Sequence, residues 1–226
     1  MYTVGRIMEC RRMNGKTELL ISLANEENAE YIHRKEIEKA GIWLDDGRMI
    51  SAEQRRKIYA SIKDISAYTG YTPNETKDVL KCMYVERTGN RYFSLADCSM
   101  DTARLFINII IDICLENGII LSDAMVDRAE DINYMLLSCI RNRKCSICGR
   151  AGEIHHWDAI GMGNDRRHYD DSGNRKICLC RQHHTQAHTY GRERFMQMYH
   201  VSGIYYDEDS EGVFINKLKE GEDVCT

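Results

Sequence analysis

The sequence predicts an α+β fold: a mainly helical N-terminal domain with a β-hairpin over residues 1–140, a small zinc-stabilised domain over 141–204, and an acidic tail over 205–226. Three observations predict it. An Asn-Gly turn separates two strand-like runs near the N-terminus. Regular amphipathic patterns of helical period follow. From Cys145 onward, cysteine and histidine at metal-ligand spacing replace the aliphatic residues.

Thr3–Met13 and Thr17–Leu23 flank Asn14-Gly15-Lys16, and Asn-Gly is a strong tight-turn signal. Ser51 followed by Gln54 is a capping-box signature ahead of a helix with Ile58, Ile62 and Ile65 on one face. Thr72, Pro73 and Glu75 supply a cap, a first-turn proline and an acidic third residue for a second helix bearing Val79, Leu80 and Met83. A third helix runs from about Met100 to Glu116 and stops at Asn117-Gly118; a fourth starts after Ser122 and reaches about Ile140. The domain boundary is placed near Arg141–Lys144, where elements shorten and glycine becomes frequent.

Composition bounds the function. The chain has 226 residues, of which 43% are hydrophobic and 29% charged, with one proline, too apolar for a disordered chain. The longest apolar run, Leu105 to Leu121, is interrupted by Asn108, Asp112, Glu116 and Asn117, which excludes a membrane span. With no signal peptide, the ten cysteines are expected to be reduced thiols of a cytoplasmic protein. The net charge of −4 conceals an uneven distribution: residues 1–140 carry −4, residues 141–194 carry +5, and residues 195–226 carry −5. Six of the eight histidines and four of the ten cysteines fall in the basic segment.

Spacing separates two ligand sets there. Cys145-x-x-Cys148 and Cys180-x-x-His183 are paired knuckles that together offer a tetrahedral site for structural zinc; Cys178 can replace Cys180, because alternate strand residues share a face. The second set is His155-His156 with His184 and His188. Residues four apart lie on one helix face, so His184 and His188 can grip one ion. Neighbouring strand residues point oppositely, so one of His155 and His156 ligates while the other faces outward. Three imidazoles leave coordination positions open, the arrangement of a catalytic rather than a closed structural site. Cys10, Cys82, Cys98, Cys114 and Cys139 are expected to be small buried residues, and Cys225 a tail thiol.

Cys145-x-x-Cys148, Ile154-His155-His156, Leu179-Cys180-x-x-His183-His184 and His188 resemble an HNH endonuclease of the ββα-metal family. The run continuing through Gly191, Phe195 and Tyr199-His200 is similar to the HNH nucleases of bacteriophages and prophages. The resemblance covers roughly residues 141–204 and implies a ββα-metal domain. It implies His155, His184 and His188 as metal ligands and His156 as general base. The family's middle Asn braces the loop; Asn174 is the nearest match, about one residue out of the usual spacing, and Asn164 is another.

The implied chemistry is hydrolysis of DNA phosphodiester bonds, leaving 5′-phosphate and 3′-hydroxyl ends, with magnesium or manganese, or nickel, cobalt or zinc, as the catalytic ion. Arg166, Arg167, Arg175, Lys176 and Arg181 are the available phosphate grips, and weak sequence preference is expected. Gln54 to Tyr59 with Asp64-Ile65 and Lys81 faintly resembles the NinB/Orf recombination mediators of lambdoid phages, which implies a domain that binds single-stranded DNA or a single-strand DNA-binding protein and a place in phage recombination or replication; the other reading of the domain is a helical scaffold or oligomerisation domain. The alternative is a non-enzymatic DNA-binding recombination factor whose metal sites are both structural. A fifth imidazole beside the ligands, His156, argues for the enzyme.

Overall fold

The computed structural model describes residues 5–13, 15–23, 30, 32–34, 47–158 and 174–206. It is an α+β structure of helices and two small sheets, in two compact units. One unit is Met1–Arg55 with Tyr71–Phe106; the other is Arg56–Gly70 with Ile107–Thr226.

In the first unit, β1 (Gly5–Met13) and β2 (Lys16–Leu23) pair antiparallel with Met13 opposite Lys16. Gly15 adopts φ +75°, the left-handed conformation that a two-residue hairpin turn requires. The side chains of β1 are exposed along its length, so Cys10, expected in a core, faces solvent.

Helix α1 (Ala52–Thr69) opens on the expected box: the Gln54 amide donates to Ser51 Oγ at 3.0 Å, and the Ser51 amide donates to Gln54 Oε1 at 3.1 Å. Helix α2 (Pro73–Thr88) opens on the Thr72–Glu75 box and ends at Gly89 in the left-handed conformation. Its buried stripe is Thr76, Leu80, Lys81, Tyr84 and Thr88. Val79, expected on the inner face, is exposed, and so is Cys82. The reason is that the stripe follows a four-residue spacing through polar Thr76 and Thr88, which hydropathy does not mark. Tyr84, Phe93 and Phe106 meet edge to face, and Lys81 lies over the Tyr92 and Phe93 rings. The basic residues of α1's first turns are engaged within their own units: Arg55 donates to the Ala96 carbonyl, and Lys57 pairs with Glu130 at 2.7 Å.

In the second unit, Ile58, Ile62 and Ile65 of α1 are buried as expected. Helix α3 (Met100–Asn117) is buried almost all round from Ile107 to Leu115, and Gly118 at φ +66° ends it. The single helix expected from Ser122 to Ile140 is two: α4 (Met125–Arg128) and α5 (Ile132–Arg141). The break has a capping cause. Ala129 is extended, and Asp131 caps α5 by accepting from the Tyr134 amide. Buried Arg128 reinforces it by pairing with Asp64 and Asp123.

Helix α5 lies against a three-stranded sheet of β3 (Glu153–His156), β4 (Arg175–Leu179) and β5 (Ile204–Tyr205), ordered β3-β4-β5 and antiparallel throughout. Helices α6 (Arg181–Tyr190) and α7 (Arg192–Tyr199) follow β4. Asp112 holds α5 by accepting from the Tyr134 and Ser138 hydroxyls. Among the described residues no disulfide forms, and no helix is long and apolar enough to cross a membrane.

Gly203 is where the chain passes against Trp157. A Cβ there would overlap the Trp157 side chain and lie 3.1 Å from Arg175 Cβ. Gly203→Ala is therefore expected to destabilise this unit by about 1–3 kcal/mol, the cost of overpacking. Denaturant unfolding measures it; an unchanged midpoint would contradict the packing described.

Candidate functional site

The first cluster forms between the knuckle that precedes β3 and the start of α6. The Cys145 amide donates to the Arg150 carbonyl at 2.7 Å, the Gly149 amide donates to the Cys145 carbonyl at 2.8 Å, and Gly149 turns at φ +69°. This fold of the backbone brings Cys145 and Cys148 to one side. Cys180 is the residue preceding α6, and His183 lies in that helix's first turn. His183 Nδ1 is 3.3 Å from both Cys145 Sγ and Cys180 Sγ, and Cys148 Sγ is 3.8 Å from Cys180 Sγ.

The sulfur–sulfur separation matches the edge of a tetrahedron about a zinc ion, about 3.8 Å for zinc–sulfur bonds of about 2.3 Å, and the nitrogen–sulfur separations lie near the shorter edge, about 3.5 Å, set by a zinc–nitrogen bond of about 2.0–2.1 Å. The donor set of three thiols and one imidazole therefore fits a closed structural site. Burial pushes the Cys145 thiol up to about 12, so a bound cation rather than bulk solvent is what would displace its proton. Cys178 is buried outside this cluster, and Gly152 leaves room for its Sγ.

The second cluster is His155, His184 and His188, whose candidate ligand atoms lie within 4.8 Å of one another. His155 comes from β3, and its ring lies 4.5 Å from that of His184 and 4.9 Å from that of His188, centroid to centroid. His184 and His188 stack one turn apart on α6 at 4.9 Å. Burial first, then the neighbouring imidazoles, pushes the pKa of His155 down to about 4, so its ring is neutral and carries a free lone pair near neutral pH. His184 Nδ1 is 2.6 Å from Glu153 Oε1. An open cavity of about 470 Å³ lies beside the cluster, lined by Arg181, His184, Thr185, His188 and Thr189. Three imidazole nitrogen donors beside an open cavity fit a divalent ion with free coordination positions.

The remaining expected site residues fall in different places. His156 is half-buried and stands outside the three-histidine cluster, opposite Lys176 in the β3–β4 register. Asn174 is half-buried and immediately precedes β4. Arg181 lines the cavity. Lys176, expected as a surface grip, is only 3% exposed. Arg175 is held by Asp158: its guanidinium donates to both carboxylate oxygens, at 3.0 and 2.7 Å, and its backbone amide donates to Oδ2 at 3.0 Å. Arg166, Arg167 and Asn164 lie outside the described residues.

Sequence reasoning missed Asp158, which also accepts from Arg192 at 3.1 Å and so joins the end of β3, the start of β4 and the start of α7. No spacing signal marks it. It missed Glu153 as well, although strand parity places Glu153 and His155 on one face.

A profile of the family described as "Putative HNHc nuclease" matches residues 22–221. No curated protein and no solved structure matches the chain.

The Arg175 hydrogen bonds hold the Asp158 carboxyl below the usual carboxylate range. Its contribution to stability is complete above the unfolded value, about 3.9, and is lost as pH falls through the lower folded value. Asp158→Ala is expected to destabilise the unit by about 1–3 kcal/mol at pH 7, and Arg192→Ala by less than about 1 kcal/mol, in thermal or denaturant unfolding. Equal effects would contradict Arg175 as the principal partner.

Proposed function

The chain belongs to the HNHc nuclease family, and on that premise we propose that it is a metal-dependent endonuclease hydrolysing DNA phosphodiester bonds. The observation that carries the reading is the convergence of His155, His184 and His188 beside an open cavity that His184, His188 and Arg181 line. In this reading the three imidazoles hold a divalent ion, magnesium or manganese, with nickel, cobalt or zinc also suited to nitrogen donors. When bound, such an ion offsets the negative charge that develops on the phosphate and the leaving oxygen.

The protein's own groups do the rest. His156 accepts the proton of the attacking water at a ring nitrogen, which suits an imidazole near neutral pH. Asn174 braces the segment ahead of β4 and orients that base. Arg181 grips a phosphate from the rim, and Arg166 and Arg167 are further candidates for phosphate contact. Cys145, Cys148, Cys180 and His183 hold a structural zinc that ties the knuckle to α6. The products are 5′-phosphate and 3′-hydroxyl ends, and phage recombination, replication or DNA processing is the setting that suits the activity.

Two measurements test this. His156→Ala is expected to fold, retain its metals and lose at least about 100-fold in nicking of supercoiled plasmid with manganese. Nicking by that variant at the wild-type rate would remove His156 as the base. Elemental analysis should find one zinc per chain that survives dialysis against a mild chelator, plus a second ion that exchanges. A folded protein purified with no zinc would contradict the cysteine site. Two tightly held zinc ions with no cleavage of any DNA would favour a non-enzymatic DNA-binding factor.

A further inference from the structure

Resting on the metal assignment proposed above, we infer that Glu153 is a positioning residue for His184: its carboxylate fixes the imidazole with Nδ1 protonated and Nε2 presented to the ion. Glu153 Oε1 lies 2.6 Å from His184 Nδ1. In that contact the carboxylate oxygen accepts and the ring N–H donates, so Nδ1 is withdrawn from metal ligation. Nε2 is left with its lone pair free. Glu153 does not belong to the three-histidine cluster, so the contact is to a ligand rather than to the ion.

The backbone explains how the two groups meet. Glu153 and His155 are alternate residues of β3 and share a face, so one strand delivers both a ligand and the carboxylate that orients a second ligand. Leu179 is the strand partner of Glu153, and α6 begins two residues later, which sets His184 within reach. The pair is also asymmetric. Glu153 is 56% exposed and His184 is 23% exposed. More than half of the Glu153 side chain is exposed, and its hydrogen bond to His184 anchors it. A carboxylate behind a ligating imidazole raises its basicity and locks its rotation, and removal of such partners elsewhere costs about 10- to 100-fold in metal affinity.

The test uses the full chain with its zinc retained and the exchangeable ion removed. Long-range nitrogen–proton correlation spectra of histidine-labelled protein at neutral pH report the His184 tautomer without any ion or any activity. Wild type is expected to show Nδ1–H. Glu153→Ala is expected to shift toward Nε2–H, the form that imidazole favours in water.

Manganese titration of the same samples is expected to show about 10- to 100-fold weaker binding for Glu153→Ala. Glu153→Gln, whose amide oxygen still accepts from Nδ1–H, is expected to lie between. Wild-type tautomer and wild-type affinity in Glu153→Ala would overturn the inference while leaving the metal site standing. Loss in both variants as complete as in His184→Ala would make Glu153 a ligand and overturn the positioning role. If His184→Ala binds manganese as tightly as wild type, the metal assignment fails and the inference falls with it.

Discussion

Two adjacent residues of one helix, His183 and His184, face two different clusters, and the organisation of the second unit depends on that divergence. Successive helical residues are about 100° apart. His183 therefore points back to Cys145 and Cys180, while His184 and His188, one turn apart, point to His155 on β3. A rotation of α6 by a single residue would break the three-histidine set, putting Thr185 and Thr189, or His183 and Ala187, in the places of His184 and His188. The cysteine cluster fixes that rotation at the helix start, because Cys180 immediately precedes α6 and His183 lies in its first turn. A metal held by the cysteine cluster at one end of the helix would thus aim the three-histidine set further along it.

The sheet supplies the other half of the constraint. His155 pairs with Ile177 and His156 with Lys176, so the β3–β4 register decides which imidazole faces α6. A one-residue slip would exchange the roles of the two histidines. Asp158 protects the register by binding Arg175 through both side chain and backbone just beyond the pairing. The Trp157 amide adds a bond of 2.7 Å to the Arg175 carbonyl, and Gly203 lets the chain pass close against Trp157. Beneath the sheet lies α5, whose residues Met135 to Ile140 are buried without interruption. The candidate site is therefore a rim built on a rigid floor.

Much of this was legible in the sequence because the signals are local. Asn-Gly specifies the hairpin turn through a positive φ. Ser51–Gln54 and Thr72–Glu75 specify helix starts through reciprocal hydrogen bonds. Paired knuckles and an i, i+4 histidine pair specify ligand sets through short spacing. What was not legible is what tertiary partners decide. Arg175 and Lys176 are basic residues in a basic segment, and nothing nearby in sequence says that Asp158 takes one and the sheet buries the other. The break between α4 and α5, set by the Asp131 cap, is reinforced by Arg128 reaching Asp64, far away in the chain. Cys10 and Cys82 look like core residues by type, yet lie on a solvent-facing strand and the outer side of a helix whose inner stripe is partly threonine.

With both metals bound, one helix would serve two centres of different character, a closed thiolate site and an open imidazole site. Anomalous diffraction from crystals of the full chain equilibrated with manganese tests it most directly, with data collected on both sides of the zinc and manganese absorption edges. The account predicts a zinc peak among Cys145, Cys148, Cys180 and His183, and a manganese peak among His155, His184 and His188 with open coordination positions toward the cavity. A single metal peak, or a manganese ion ligated by His156 in place of His155, would contradict it.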